Sequence, residues 1–283
     1  MQLLTLVIAL GFLQVWGAEN PLHKDAWFHT WISRFEKFSF LTTLSRISSL
    51  ITVGSVILPL ALLMYWLLGP ETWWGGLHLP LSVVILLYSL GRGEFSEIVA
   101  EYTKACYVED WPSALERARP LGVLVDDLNE NDWSRLHERV LEEASYRGFE
   151  RMFSVLFWFL FFGPLGALFY RLLFLYSEHK PGDGVAGRLL WTLEWVPVRF
   201  LGLSFSFTGN FVGSWGRWRE SLFCMDSSSR LVLSRIVLGA LSVSEDLAQS
   251  CEVTRKELNM VSRLYTRTLW FWLGAIALFS LLN

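Results

Sequence analysis

The sequence predicts an all-α, polytopic helical membrane protein of about six spans, with a helical cytoplasmic subdomain. Three observations carry that prediction. Hydrophobic residues fill 53% of the 283 positions, charged residues only 18%, and mean hydropathy is +0.37. Apolar runs approach the roughly 20 residues needed to cross a hydrocarbon core of about 30 Å. Lys and Arg gather in alternate connections between those runs, which is the asymmetry that orients helices in a bilayer.

Two runs are long enough alone, residues 47–68 (ISSLITVGSVILPLALLMYWLL) and 153–176 (FSVLFWFLFFGPLGALFYRLLFLY). Four others, 2–15, 77–90, 189–212 and 269–282, are shorter or interrupted. If all six cross and the N-terminus lies outside, the inward connections hold four, eight and eight basic residues, twenty of the 24 in the chain. Only Lys180 and Arg188 face outward, while Arg171 and Arg199 fall within spans. The expected arrangement is therefore multi-pass, with both termini on the outer side. Four spans with two membrane-dipping segments is the alternative. A cleaved signal peptide is disfavoured by the uncharged MQLL start and by bulky Trp16 where a small residue is expected.

The organisation follows from these runs. Residues 1–90 are N-terminal membrane helices, with an amphipathic inner connection that spaces Trp27, Trp31, Phe35 and Phe38 by three or four. Residues 91–151 form an acidic helical subdomain with 14 carboxylates against eight basic groups, punctuated by Pro112, Pro120, Gly122 and the NEND stretch. Residues 152–212 are core spans carrying GPLGALFYR and LEWVPVRF, and residues 213–283 are a helical cytoplasmic segment followed by a final span. The net charge of -3 gives no reason to expect a nucleic-acid partner. The acidic subdomain likewise does not suit anionic lipid headgroups. Cys106, Cys224 and Cys251 lack metal or redox spacing and read as buried thiols.

Several residues are candidates for chemistry. In GRGEFSEIVAEYTKA, Glu94, Glu97 and Glu101 fall on one helical stripe after Gly91, Arg92 and Gly93. The glycines would let backbone amides approach a phosphate, and the carboxylates are a weak Mg²⁺ site; a solvated helix face explains the same pattern. No phosphate-binding GxxxxGK[ST] loop, HExxH or Ser/His/Asp arrangement is present. Arg171 and Glu194 lie about five residues inside adjoining spans, about 7.5 Å deep by the helical rise, so an ion pair is expected. Arg199 is deeper and has no carboxylate at its level. Backbone carbonyls near Pro197 or an anionic ligand could satisfy it.

Two blocks carry a family resemblance. LEEASYRGFERMFSVLFWFLFFGPLGALFYR (141–171) and GRLLWTLEWVPVRFLGL (187–203) resemble the CobD/CbiB/AmpE membrane-protein family, with most similarity to its AmpE branch. The resemblance implies an inner-membrane regulatory or signalling modulator linked to β-lactamase induction and peptidoglycan recycling. Its partners would be the lipid bilayer, a small anionic or cell-wall-derived ligand, and a membrane or cytoplasmic protein. The cobalamin-pathway branch implies instead an amide-forming, ATP- and Mg-dependent ligase. Glu142, Arg147 and Glu150 are then the catalytic candidates, and Tyr170, Arg171, Glu194 and Arg199 the ligand-binding ones. RGFER at 147–151 replaces an NLVDG-type motif, LFLYSE replaces NTLD, and an HRSPNAG-like region is missing. A fold retained with altered polar motifs is expected of a relative that has changed or lost the reaction. A small-molecule transporter is a further alternative, for which no chain of intramembrane polar groups is evident.

Overall fold

The computed structural model describes residues 2–16, 25–36, 48–67, 78–90, 95–123, 129, 132–224, 227–242 and 251–282. Among these residues all regular structure is helical. The chain divides into two compact units that interleave along the sequence, Met1–Arg92 with Ser154–Glu194, and Gly93–Phe153 with Trp195–Asn283.

The first unit contains α1 (Gln2–Trp16), α2 (Ala26–Glu36), α3 (Ser48–Leu67), α4 (His78–Ser89) and α8 (Val155–His179). Helix α8 packs against α2, α3 and α4, and α1 packs against α4. Apolar side chains from every helix meet in its core, among them Leu6, Phe28, Val53, Leu86 and Leu172. Burial of each such side chain contributes about 1.5–3 kcal/mol. Two polar groups in these helices show how they are satisfied: Ser89 Oγ donates to Ile85 O at 2.8 Å within its own helix, and Trp31 Nε1 donates to Ser55 Oγ at 3.0 Å on another.

Helix α8 corrects the expectation of one uninterrupted run at 153–176. Gly163 has φ 67° and ψ -160°, so the helix is two helices joined at a break. Only glycine adopts such a conformation cheaply, and Pro164 then starts the second helix with a preset φ. The bend is sharp. A Cβ on Gly166 would lie 2.6 Å from Trp158 O, whereas eight residues of straight helix extend about 12 Å. The GPLG motif thus has two separable requirements, a positive φ at its first glycine and no side chain at its second. Among the described residues one helix, Trp133–His179, is long and apolar enough to cross a membrane, while the apolar helices Leu3–Val15, Leu50–Tyr65 and His78–Ser89 are shorter.

The second unit contains α5 (Phe95–Tyr107), α6 (Trp111–Ala118), a 3₁₀ turn (Arg119–Leu121), α7 (Trp133–Gly148), a π-helix (Phe149–Ser154), α10 (Phe211–Ser221), α11 (Ser229–Ala240) and α12 (Cys251–Leu282). Helix α9 (Gly184–Thr208) contributes its part from Trp195 onward. The expected punctuation does the capping: Asp110 accepts from Ser113 N with Pro112 just inside α6, and Asp132 accepts from Arg135 N at the start of α7. Helix α7 packs against α11, α12 and the 3₁₀ turn. Tyr265 of α12 donates its hydroxyl to Ser145 O at 2.6 Å, and its ring lies where a Gly148 side chain would begin. Ser145 O also accepts the Phe149 N–H, and hydrogen bonding takes the π pattern from Phe149 onward.

Candidate functional site

The polar face of α7 and the π-helix gathers two of the three catalytic candidates. Arg147 and Glu150 are three residues apart and Nη1 lies 3.8 Å from Oε2; their side chains are 12% and 1% exposed. Arg151 Nε stands 4.0 Å from the same oxygen. Arg147 Nε donates to Leu121 O at 3.1 Å, anchoring the 3₁₀ turn. Gly122, at φ 100°, closes that turn; a Cβ there would be 3.1 Å from Arg147 Nη2 and 3.2 Å from Glu143 Oε2. Glycine is required both by the left-handed backbone and by the charged groups packed against it.

Glu143 and Arg230 complete the cluster and were not identified from sequence. Arg230 Nε is 3.2 Å from Glu143 Oε1, and its guanidinium lies 4.5 Å from the centre of the Tyr146 ring. Glu143 Oε2 is buried without a hydrogen bond. Burial pushes the Glu143 carboxyl above its ordinary range, and Arg230 and Arg147 oppose that shift. Three guanidinium groups therefore surround two buried carboxylates, and Arg230, 44% exposed, opens the group to solvent. Such a fork of donors suits a carboxylate or phosphate. The helical i, i+4 and i, i+7 spacing of Glu143, Arg147 and Glu150 was visible in the sequence; Arg230, on α11, was not. Glu142 lies apart from this arrangement and pairs with Arg139 at 3.2 Å on a more exposed face.

In the first unit, Arg171 Nη2 is 3.3 Å from Asp25 Oδ2, and Tyr88 donates to Asp25 Oδ1 at 3.3 Å. Tyr170 donates to Glu194 Oε1 at 3.1 Å. Adjacent residues of α8 thus serve two carboxylates, and the Asp25 contact is one that sequence spacing did not suggest. In the second unit Arg199 is 6% exposed. It donates to Trp195 O at 3.1 Å and to Ser221 O and Cys224 O at 2.9 Å each. Its guanidinium lies 4.2 Å from the centre of the Trp195 ring. Backbone carbonyls, one of the two alternatives, are its neighbours here, and they tie α9 to the end of α10.

Only part of the acidic stripe falls among the described residues. Gly91, Arg92, Gly93 and Glu94 lie outside the described residues, as does the Glu97 side chain. Glu101 pairs with Arg117 at 2.6 Å on an exposed surface. Among the described residues no three His, Cys, Asp or Glu side chains are grouped to hold a metal ion.

The comparisons with known proteins point one way. The chain is 26% identical over 236 residues to a protein named cobalamin biosynthesis protein CobD from Chromobacterium violaceum, covering 73% of this chain and 75% of that one. It is 26% identical over 198 residues to the protein of the same name from Stutzerimonas stutzeri, covering 66% and 62%. No solved structure matches. The model of the AmpE family, described as regulatory signalling modulator protein AmpE, matches residues 1–263. A match over nearly the full length settles membership: this chain belongs to the AmpE family.

Proposed function

We propose that this chain is an inner-membrane regulatory modulator that reads a small anionic ligand at the arginine and carboxylate cluster of α7, linked to β-lactamase induction and peptidoglycan recycling. The observation that supports this reading most is Glu143. Its carboxyl is buried, one oxygen faces the half-exposed Arg230, and the other has no hydrogen bond. An internal carboxylate held this way is a placeholder that an external carboxylate or phosphate can displace, releasing Glu143 and shifting the 3₁₀ turn on Arg147. Membership of a family described as a regulatory signalling modulator supports the regulatory role. The test is induction of chromosomal β-lactamase in a deletion strain carrying the wild type, Glu143→Gln or Arg230→Ala, with membrane abundance measured alongside. Altered induction at normal abundance supports the reading; unchanged induction in both variants defeats it.

A second reading is a ligase-type enzyme, favoured by the similarity to two proteins named for cobalamin biosynthesis. Isothermal titration of the detergent-solubilised chain with ATP, with and without Mg²⁺, separates the two. Mg²⁺-dependent binding lost in Glu150→Gln supports the ligase, and its absence in folded protein removes it.

A further inference from the structure

We infer that residues 155–170 form a membrane-dipping hairpin, entering and leaving the bilayer on one side. These sixteen residues, VLFWFLFFGPLGALFY, contain no charged group and are broken by a kink at Gly163. The close approach of Gly166 to Trp158 O shows how sharp the bend is, and the hairpin we infer continues it. Eight residues lead from Val155 to the break and eight from the break to Arg171. Each arm is therefore about 12 Å long, less than half of a hydrocarbon core of about 30 Å.

Exposure is distributed as a dip requires. Phe161 and Phe162, at the tip, are 67% and 68% exposed, so two large aromatic side chains project where the chain turns. Beyond Arg171 the apolar residues 172–176 are each buried to 4% or less by the protein itself, so they need no lipid. Arg171, paired with Asp25, then lies level with the polar entrance of the hairpin and not deep in hydrocarbon. Hydrocarbon is the occupant that fits the tip, because it alone covers adjacent phenylalanines while asking nothing of the polar groups at the base.

Charge placement points the same way through a separate observation. If the hairpin does not cross, orienting charges require that α9 not cross either, since the eight basic residues from Arg217 to Arg267 would otherwise move outside. Helix α9 holds Glu194 and Arg199, 3% and 6% exposed within protein. With the other four apolar segments crossing, every one of the 24 Lys and Arg lies in the stretches 24–46 and 92–267, on one side. Six spans leave Lys180 and Arg188 opposite.

Gly182 distinguishes the arrangements, since a hairpin places it on the inner side and a crossing helix places it outside. Single cysteines at Glu138, Gly182 and Arg219, in a chain with Cys106, Cys224 and Cys251 changed to Ser, are exposed to a membrane-impermeant maleimide. A side chain at Gly182 meets nothing within 4 Å. All three are expected to label in inverted inner-membrane vesicles and none in spheroplasts. Labelling of Gly182→Cys in spheroplasts overturns the hairpin. If the cysteine-free chain fails to fold, a protease site inserted after Gly182 in the natural chain serves instead. Cleavage only in inverted vesicles is expected, and cleavage in spheroplasts overturns the inference.

Discussion

Glu143 and Gly122 are packed so closely that the carboxylate oxygen with no hydrogen bond lies 3.2 Å from where a side chain on Gly122 would begin. The glycine also has φ 100°. Gly122→Ala is therefore expected to lower stability by about 1–3 kcal/mol, through backbone strain together with displacement of Glu143 and Arg147. Thermal unfolding of the detergent-solubilised variant checks this, and an unchanged Tm contradicts it.

Burial raises the Glu143 carboxyl above its ordinary value of 4.5. A raised carboxyl favours the folded state when protonated, so its contribution is full below that value and is lost as pH rises through the folded one. The stability difference between wild type and Glu143→Gln should therefore shift in favour of the variant as pH rises from 4.5 toward neutrality. Tm measured for both proteins across that range is the check.

His137 has the opposite sign. Buried on α7 with its Nδ1 2.7 Å from Tyr102 Oη, it is depressed by burial from 6.5 to about 4. Its contribution is full above 6.5 and is lost as pH falls through about 4. The wild type should lose stability across that window, and His137→Gln should lose less. Equal losses in the two proteins, read from parallel unfolding curves, would contradict a neutral buried imidazole.

Arg199 holds three carbonyls from two helices and the chain that follows α10. Arg199→Gln leaves buried acceptors without their donor, at a cost of at least about 2 kcal/mol. Membrane abundance is expected to fall together with any activity, as judged by immunoblot. Activity lost at full abundance would assign Arg199 to a ligand instead.

Local signals told most of the helical architecture. Asp110, Pro112 and Asp132 start helices as their residue types demand, and the apolar periodicity of α5 and α7 places them on the core. The contacts that build the site were hidden because they are long-range. Arg171 finds Asp25 across 146 positions, and Glu143 finds Arg230 from another helix. Tyr265 reaches Ser145 O across 120 positions beside the π-helix, a contact that RGFER alone could not reveal. The break at Gly163 was written in GPLG, yet hydropathy averages over it. A positive φ becomes legible only once the backbone is traced.

The anion site is tested most directly by isothermal titration of the purified, detergent-solubilised chain with a peptidoglycan-derived muropeptide bearing free carboxylates, alongside Arg230→Ala. The wild type should bind, and removal of the half-exposed guanidinium should weaken binding about tenfold or more, the scale of a lost charge-assisted pair. Equal binding by both folded proteins, or no binding by either, would contradict a ligand site at Glu143 and Arg230.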